Sequence, residues 1–301
     1  MKFLVMGSLN YDYVYELNHI VQPGETVASV RMETLCGGKG LNQSIALAKA
    51  GSNVWQGGMI GEDGELLVNT AVRYGVGVEY LKTVSGRSGH AVIQVDANGQ
   101  NSIVLYGGSN RKFTEEYICE TLEHFESGDY LVLQNEINRV NEVIREGYAR
   151  RMKIVLNPSP YDAEILSWDL SKVSVFFLNE IEGEQMTGTG DVKKMIAILM
   201  QRYPEAEIIL TLGEKGASYG KGEQIFFQPA FPVKAVDTTA AGDTFTGYFL
   251  AARSKGFSAK KCLEIAAHAS AFAVGKRGAA PSIPLWKEVV MDTKLRQASL
   301  C

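Results

Sequence analysis

Residues 40–59 read GLNQSIALAKAGSNVWQGGM, a helix and a strand written back to back. Apolar residues at 41, 45, 47, 48 and 50 recur at helical spacing, and Gly51 follows them as a glycine stop. Asn53–Met59 then reads as a strand. Upstream, Lys2–Met6 (KFLVM) is a short apolar run ended by Gly7-Ser8, the pattern of a buried strand. The alternation continues along the chain. The sequence predicts helices over Glu65–Tyr74, Phe113–Phe125, Val140–Arg151, Val192–Tyr203, Phe245–Lys255 and Ala259–Val274. It predicts strands over Tyr130–Gln134, Lys153–Leu156, Val173–Leu178 and Glu207–Leu212. Strands separated by helices of about ten or more residues argue for a mainly parallel sheet covered on both faces, an α/β fold.

Two stretches break that rhythm. Tyr11–Leu35 alternates polar and apolar residues around a Pro23-Gly24-Glu25 turn, and His90–Tyr106 is two alternating runs joined at Asn98-Gly99, a strong hairpin signal. Both are expected to be antiparallel strands outside the main sheet, together a small flap. Ala91, Ile93 and Val95 fall on one face of such a strand, and Ile103 and Leu105 can extend it. There is no fixed-period repeat and no Pro/Ser-rich linker, so the chain of 301 residues reads as one unit.

Composition narrows the function. With 46% hydrophobic and 21% charged residues the chain is not disordered. Its 30 basic and 34 acidic residues leave a net charge of −4, which argues against nucleic acid as the main partner. Cys36, Cys119, Cys262 and Cys301 show no pairing pattern, and the four histidines, His19, His90, His124 and His268, show no zinc spacing. No apolar run approaches the length of a membrane span, and the N-terminus reads as a strand, so the expected location is the cytoplasm.

The chemistry concentrates in two segments. In Val236–Phe245, VDTTAAGDTF, Ala241-Gly242 allow a tight turn and a helix starts at once. Amides and dipole at a helix N-terminus suit a phosphate or a developing anion, and a carboxylate there, Asp243, can act as a base toward a hydroxyl. A cap is the plainer role for a lone Gly-Asp-Thr. Gly37-Gly38-Lys39-Gly40-Leu41-Asn42 opens a helix after a flap strand; its glycines let a ligand approach the main chain, and Asn42 offers both a donor and an acceptor to sugar hydroxyls. No Walker A loop occurs, and GSLNYD lacks the later glycines of a dinucleotide fingerprint.

Taken together, these segments resemble the ribokinase/phosphofructokinase-B family of carbohydrate kinases. The resemblance runs the whole length in order: GSLNYD, PGE, CGGKGLNQS, IGEDGE, GGSN, QNEI, NPSP, LNEIE, TLGEKG, VDTTAAGDTFTGYF and KRGAAPSIP. It implies a three-layer α/β/α sandwich with a small β lid from about 11–35 and 88–107. It also implies transfer of the ATP γ-phosphate to a sugar hydroxyl, with D-ribose giving ribose 5-phosphate as the expected reaction. Another pentose such as 2-deoxyribose, or a nucleoside, stays open. So does a silent sugar-binding homologue, against which the presence of every catalytic residue counts.

The resemblance also assigns roles. Asp243 is the base, and the amides of Ala240, Ala241, Gly242 and Asp243 form the anion hole. Asn10, Asp12, Gly38, Lys39, Gly40, Asn42 and Glu136 match sugar contacts, with Asp12 as acceptor for a vicinal diol. Asn179, Thr211, Gly213, Glu214, Lys215, Gly216, Gly242 and His268 match the nucleotide side, although His268 reads equally well as a buried helix residue. Asn179 and Glu182 would organise the phosphates and the water shell of Mg²⁺. A monovalent cation, K⁺, would be held by Asp237, Thr239, Ala273, Lys276, Gly278 and Ser282, unless Asp237 simply caps its own turn. The lid implies a homodimer, because an isolated small sheet leaves a face and its edges uncovered. Tyr11, Tyr13, Leu41 and Lys276 depart from the family pattern and leave the identity of the sugar open.

Overall fold

In the computed structural model, which describes residues 1–291, strand β1 is Phe3–Met6 and the flap begins at once with β2, Asn10–Glu16, and β3, Arg31–Gly37. Helix α1 (Lys39–Lys49), β4 (Val54–Ile60), α2 (Glu65–Arg73) and β5 (Gly77–Thr83) follow. The chain then returns to the flap as β6 (Gly89–Val95) and β7 (Asn101–Tyr106). Next come α3 (Glu115–Leu122), β8 (Tyr130–Gln134), α4 (Val140–Ala149), β9 (Lys153–Asn157), β10 (Val175–Asn179), α5 (Glu180–Thr187) and α6 (Val192–Arg202). β11 (Glu207–Thr211), β12 (Gly216–Lys221), β13 (Gln224–Pro229), α7 (Ala241–Ser254) and α8 (Ala259–Val274) complete it.

Nine strands form the main sheet in the order β13-β12-β11-β10-β9-β8-β1-β4-β5. All its pairs are parallel except β11/β12 and β12/β13. Successive strand side chains point to opposite faces, so each strand feeds two cores. On β1, Phe3 and Val5 pack with residues of α1, α7 and α8, while Leu4 and Met6 pack with α3, α4 and α6. Tyr130 and Val132 of β8 join the first core, and Leu131 and Leu133 join the second. This is the three-layer sandwich expected.

The flap is a four-stranded sheet ordered β3-β2-β6-β7. One expectation needs correcting: its strands are not all antiparallel. β2 pairs parallel to β6, from Asn10 opposite Gly89 to Glu16 opposite Val95. The chain runs through β3, α1, β4, α2 and β5 between them, a crossover that allows parallel pairing. Asp12 lies opposite Leu35 and Ala91, so it shares a face with Ile93, Val95, Ile103 and Leu105. Among the described residues no helix is long and apolar enough to cross a membrane. Cys36, Cys119 and Cys262 are free thiols; Cys301 lies outside the described residues.

Candidate functional site

Strand order reverses at β1, whose neighbours β4 and β8 carry the chain in opposite directions. In an open α/β sheet that reversal leaves a crevice beyond the carboxyl ends of the strands. Gly7–Asn10 leave β1 into it, Asn135-Glu136 leave β8, Asn179 ends β10 and Thr211 ends β11. The N-termini of α1 and α7 also bring residues to it.

The glycines of GGKG let α1 start against the β1–β2 turn. Gly38 has φ +93°, and a Cβ there would sit 2.9 Å from the Ser8 carbonyl oxygen. A Cβ on Gly40 would sit 2.5 Å from the carbonyl carbon of Gly7. No side chain larger than hydrogen fits either place. The same closeness recurs where α1 crosses α7. A Cβ on Gly247 would lie 2.5 Å from that of Ala46. Close packing of the two helices brings Asp243, in the first turn of α7, onto α1.

There the Asp243 carboxylate is buried and accepts two hydrogen bonds. Asn42 Nδ2 donates to Oδ2 at 3.1 Å and Gln43 Nε2 donates to Oδ1 at 3.0 Å. Burial, the largest influence, raises its pKa; Lys39 and the two amides oppose that, and Glu136 adds to it. Asn42 Oδ1 is buried and has no hydrogen-bond partner among the described residues. No side chain caps α7, and Ala240 before it is left-handed at φ 58°. First-turn amides have no acceptor within a helix, so the positive end of α7 is open to an anion. The Ala241 amide is the exception, since it donates to Thr238 O at 3.2 Å.

Lys39 gathers the acidic groups. Burial lowers its pKa, but Asp243, Glu136, Glu182 and Asp12 outweigh that and raise it. Asp12 is pushed up from 3.8 to about 7, by burial first and Glu136 second, with Lys39 opposing. Its carboxylate lies over Gly37, where a Cβ would meet Asp12 Oδ2 at 2.0 Å. Glu136 accepts from the Lys39 amide at 3.0 Å and from the Ser8 hydroxyl, and so ties α1 to the β1–β2 turn. Asn10 is held by Asn110, whose Nδ2 donates to Asn10 Oδ1 at 2.7 Å while its Oδ1 accepts from the Leu9 amide at 3.1 Å.

The residues expected on the nucleotide side are less concentrated. Asn179 and Glu182 form a capping box on α5: Glu182 N donates to Asn179 Oδ1 at 2.8 Å, and Asn179 N donates back at 3.0 Å. Glu182 is buried, which raises its pKa, and it is one of the carboxylates around Lys39. Thr211 donates to Leu178 O at 3.2 Å, and residues 213–215 make a 3-10 turn. Glu214 is exposed there, and Lys215 pairs with Glu180 at 2.9 Å. Gly216 is held at φ +125° against β13. His268 is buried on α8 and stacks on Phe231 with ring centres 4.5 Å apart.

Asp237 joins two segments. Its Oδ1 accepts from the Thr239 amide at 2.9 Å and hydroxyl at 2.6 Å, and its Oδ2 accepts from the Gly278 amide at 2.8 Å. These bonds hold its pKa low against burial. Ser282 is buried and donates to Ala279 O at 2.7 Å, while Ala273 O accepts from the Lys276 amide at 3.0 Å. Lys49, at the end of α1, pins the same loop by donating to Ala280 O at 2.8 Å and Ile283 O at 2.7 Å.

Sequence reasoning missed Ser8, Gln43, Lys49, Asn110 and Gln134 as site-building residues. Gln134 did leave a signal, as the lone polar residue in the fully buried strand YLVLQ. An open cavity of 710 Å³ beside α4, lined in part by Arg145, Trp168 and Lys172, shares no residue with the crevice.

Known proteins resemble this chain along almost its whole length. Residues 2–286 match the pfkB family carbohydrate kinase model. A ribokinase of Haemophilus influenzae is 33% identical over 296 residues, covering 95% of this chain and 96% of that one. A deoxyribokinase of Salmonella typhi is 32% identical, covering 94% and 96%. The structure of Arabidopsis thaliana ribokinase complexed with ribose and ATP superposes with a TM-score of 0.86 at 31% identity, covering 96% of this chain and 97% of that one. With the family model matched over residues 2–286 and relatives above 30% identity along almost the whole length, the chain belongs to the pfkB family of carbohydrate kinases.

Proposed function

We propose that the chain phosphorylates D-ribose on its primary hydroxyl with ATP, giving D-ribose 5-phosphate and ADP. The observation that carries this reading is Asp243, a buried carboxylate held by two amide donors beside the uncapped start of α7. The hydroxyl proton passes to Asp243 as the sugar oxygen bonds to the γ-phosphorus. The bond from that phosphorus to ADP breaks and its electron pair leaves with ADP. The amides of Ala240, Gly242 and Asp243, with the positive end of α7, face the charge on the moving phosphoryl group. Asp12 accepts from two sugar hydroxyls, Asn42 Oδ1 accepts from a third, and Lys39 donates. Asn10, Gly38, Gly40 and Glu136 shape that pocket, and the flap carrying Asp12 acts as its lid.

The sugar side could also take 2-deoxyribose, because the relatives include a deoxyribokinase at the same level of identity as the ribokinases. An ADP-release assay against ribose, 2-deoxyribose, other pentoses, hexoses and nucleosides separates the readings. Turnover highest with ribose is expected, and turnover confined to nucleosides would overturn the proposal.

Mg²⁺ enters with ATP and supplies charge neutralisation on the phosphates. Glu182, a buried oxygen donor backed by Asn179, fits a hold through water. Thr211, Gly213, Glu214, Lys215 and Gly216 flank the nucleotide. His268, stacked on Phe231, acts behind that pocket rather than in it. K⁺ activates: Asp237, Ser282 and the carbonyls of Thr239, Ala273, Lys276 and Gly278 are all oxygen donors, the set a hard cation takes. Turnover in Tris with KCl should exceed that with LiCl several-fold, and Asp237→Ala should abolish the difference. Equal rates in the two salts would remove the cation from the scheme. The cytoplasm, where ATP is available, is the location this reading proposes.

The lid also forms a homodimer. Leu35, Ile103 and Leu105 are 40%, 56% and 46% exposed on the face that carries Asp12. Pairing two lids across a two-fold axis would cover that face.

A further inference from the structure

Behind Asp243 lies a second layer of amides. Gln43 Nε2 donates to Asp243 Oδ1 at 3.0 Å, and Gln134 Nε2 donates to Gln43 Oε1 at 2.7 Å. Gln43 and Gln134 are both fully buried, one on α1 and the other at the carboxyl end of β8. Beyond them the chain of bonds stops. Gln134 Oε1 is buried with no partner among the described residues, and it lies so near Gly7 that a Cβ there would meet it at 2.1 Å. A buried acceptor without a partner destabilises the fold, so its presence asks for a reason.

The reason is polarity. An ionised carboxylate only accepts, so Gln43 must turn its NH₂ toward Asp243 and its oxygen away. That oxygen then needs a donor, and Gln134 can supply one only by turning its own oxygen away, toward Gly7. The orphan oxygen of Gln134 is thus the far end of an alignment imposed by the charge on Asp243. We propose that Gln134, acting through Gln43, is a positioning residue that keeps Asp243 ionised and fixes the plane of its carboxylate toward the sugar hydroxyl. This role rests on the assignment of Asp243 as base in the proposed reaction. Two other charged groups act on Asp243: Lys39 at the start of α1, and Glu136 after β8. Neither makes a hydrogen bond to either glutamine, so both stay in place when the relay is cut.

The relay can be read without turnover. In protein carrying ¹³C-labelled aspartate, the Asp243 carboxyl signal is identified by its loss in Asp243→Asn, and its titration midpoint is followed in wild type, Gln43→Leu and Gln134→Met. Gln43→Leu removes a donor from the ionised form, and Gln134→Met frees the Gln43 amide that donates to it from its fixed orientation, so both variants should titrate at higher pH than wild type. In assays at neutral pH, kcat should fall roughly 10- to 100-fold in Gln43→Leu and roughly 10-fold in Gln134→Met, with the sugar KM within about twofold of wild type. Gln134→Met exchanges one orphan oxygen, its own, for another on Gln43, so Tm should stay within about 2 °C. An unmoved midpoint in Gln134→Met would overturn the relay. So would kcat and Tm falling together with the midpoint unchanged, which is the behaviour of a packing residue. If wild type phosphorylates no sugar, the proposed reaction fails while the midpoints still decide the relay. If Gln43→Leu does not fold, Gln134→Met alone decides it.

Discussion

Asp12 works against the fold it belongs to. Its pKa rises from 3.8 to about 7 because burial and Glu136 disfavour its charge. Between those values the folded protein keeps a proton that the unfolded chain has lost. The group's contribution to stability is therefore complete below about 3.8 and drains away as pH rises through about 7. Asp12→Asn cannot carry the charge, so it should raise Tm at pH 8 and leave it nearly unchanged at pH 4. The same change should weaken sugar binding about tenfold or more, since a carboxylate accepts two hydroxyls where an amide accepts one. For the same reason wild-type sugar affinity should climb between pH 6 and 8. Calorimetry at those pH values checks all three, and a lower Tm at pH 8 in Asp12→Asn would contradict the account. Asp12, Lys39, Asn42 and Asp243 were legible from the sequence because each sits in a distinctive string. Asn42 shows the limit of such reading: the string suggests a sugar contact, yet its nitrogen is committed to Asp243 and only its oxygen is left over. Gln134 and Asn110 were not assigned, because their partners lie 91 and 100 residues away and no local pattern points there.

Elements deliver these residues by close approach. α1 and α7 touch where Gly247 faces Ala46, and Asp243 stands one turn before that contact. Gly247→Val would force the helices apart, at about 1–3 kcal/mol of stability. Because Asp243 would retreat from Asn42 and Gln43 with its helix, kcat should fall roughly tenfold or more while ATP affinity holds. Denaturant melts and steady-state rates test this, and full activity would show that the helix contact does not set the base. A milder case is the capping box on α5, where Asn179→Ala should cost about 1 kcal/mol. Elements with strong apolar periodicity were readable to within a few residues: β8 and α8 match the expected spans, while α7 starts at Ala241, two residues before the Asp243 expected from the turn and four before the periodic run at Phe245. Those without it were missed. α5, EIEGEQMT, has no clear apolar face; β12, GASYGK, is rich in glycine; and β5, GVEYLKT, mixes charges into the strand.

The whole molecule places one carboxylate, Asp243, at the strand-order reversal of the sandwich and another, Asp12, on a separate small sheet. The sandwich was predictable because strand and helix periods alternate, whereas the parallel β2/β6 pairing was not, because pairing direction follows the path of the intervening chain. If two lids pair across the face of Asp12, Ile103→Lys together with Leu105→Glu should yield a monomer by light scattering at micromolar concentration. Loss of sugar affinity should accompany it, and a wild-type monomer, with or without sugar, would contradict the dimer. The account as a whole turns on Asp243. The most direct measurement sets ribose binding by calorimetry beside ADP release under saturating Mg·ATP, for wild type and Asp243→Asn. The variant keeps the size of the side chain and loses the base, so ribose should bind within a few-fold of wild type while kcat drops roughly 10²–10⁴-fold. Retained turnover in Asp243→Asn, or ribose binding lost with it, would contradict the assignment.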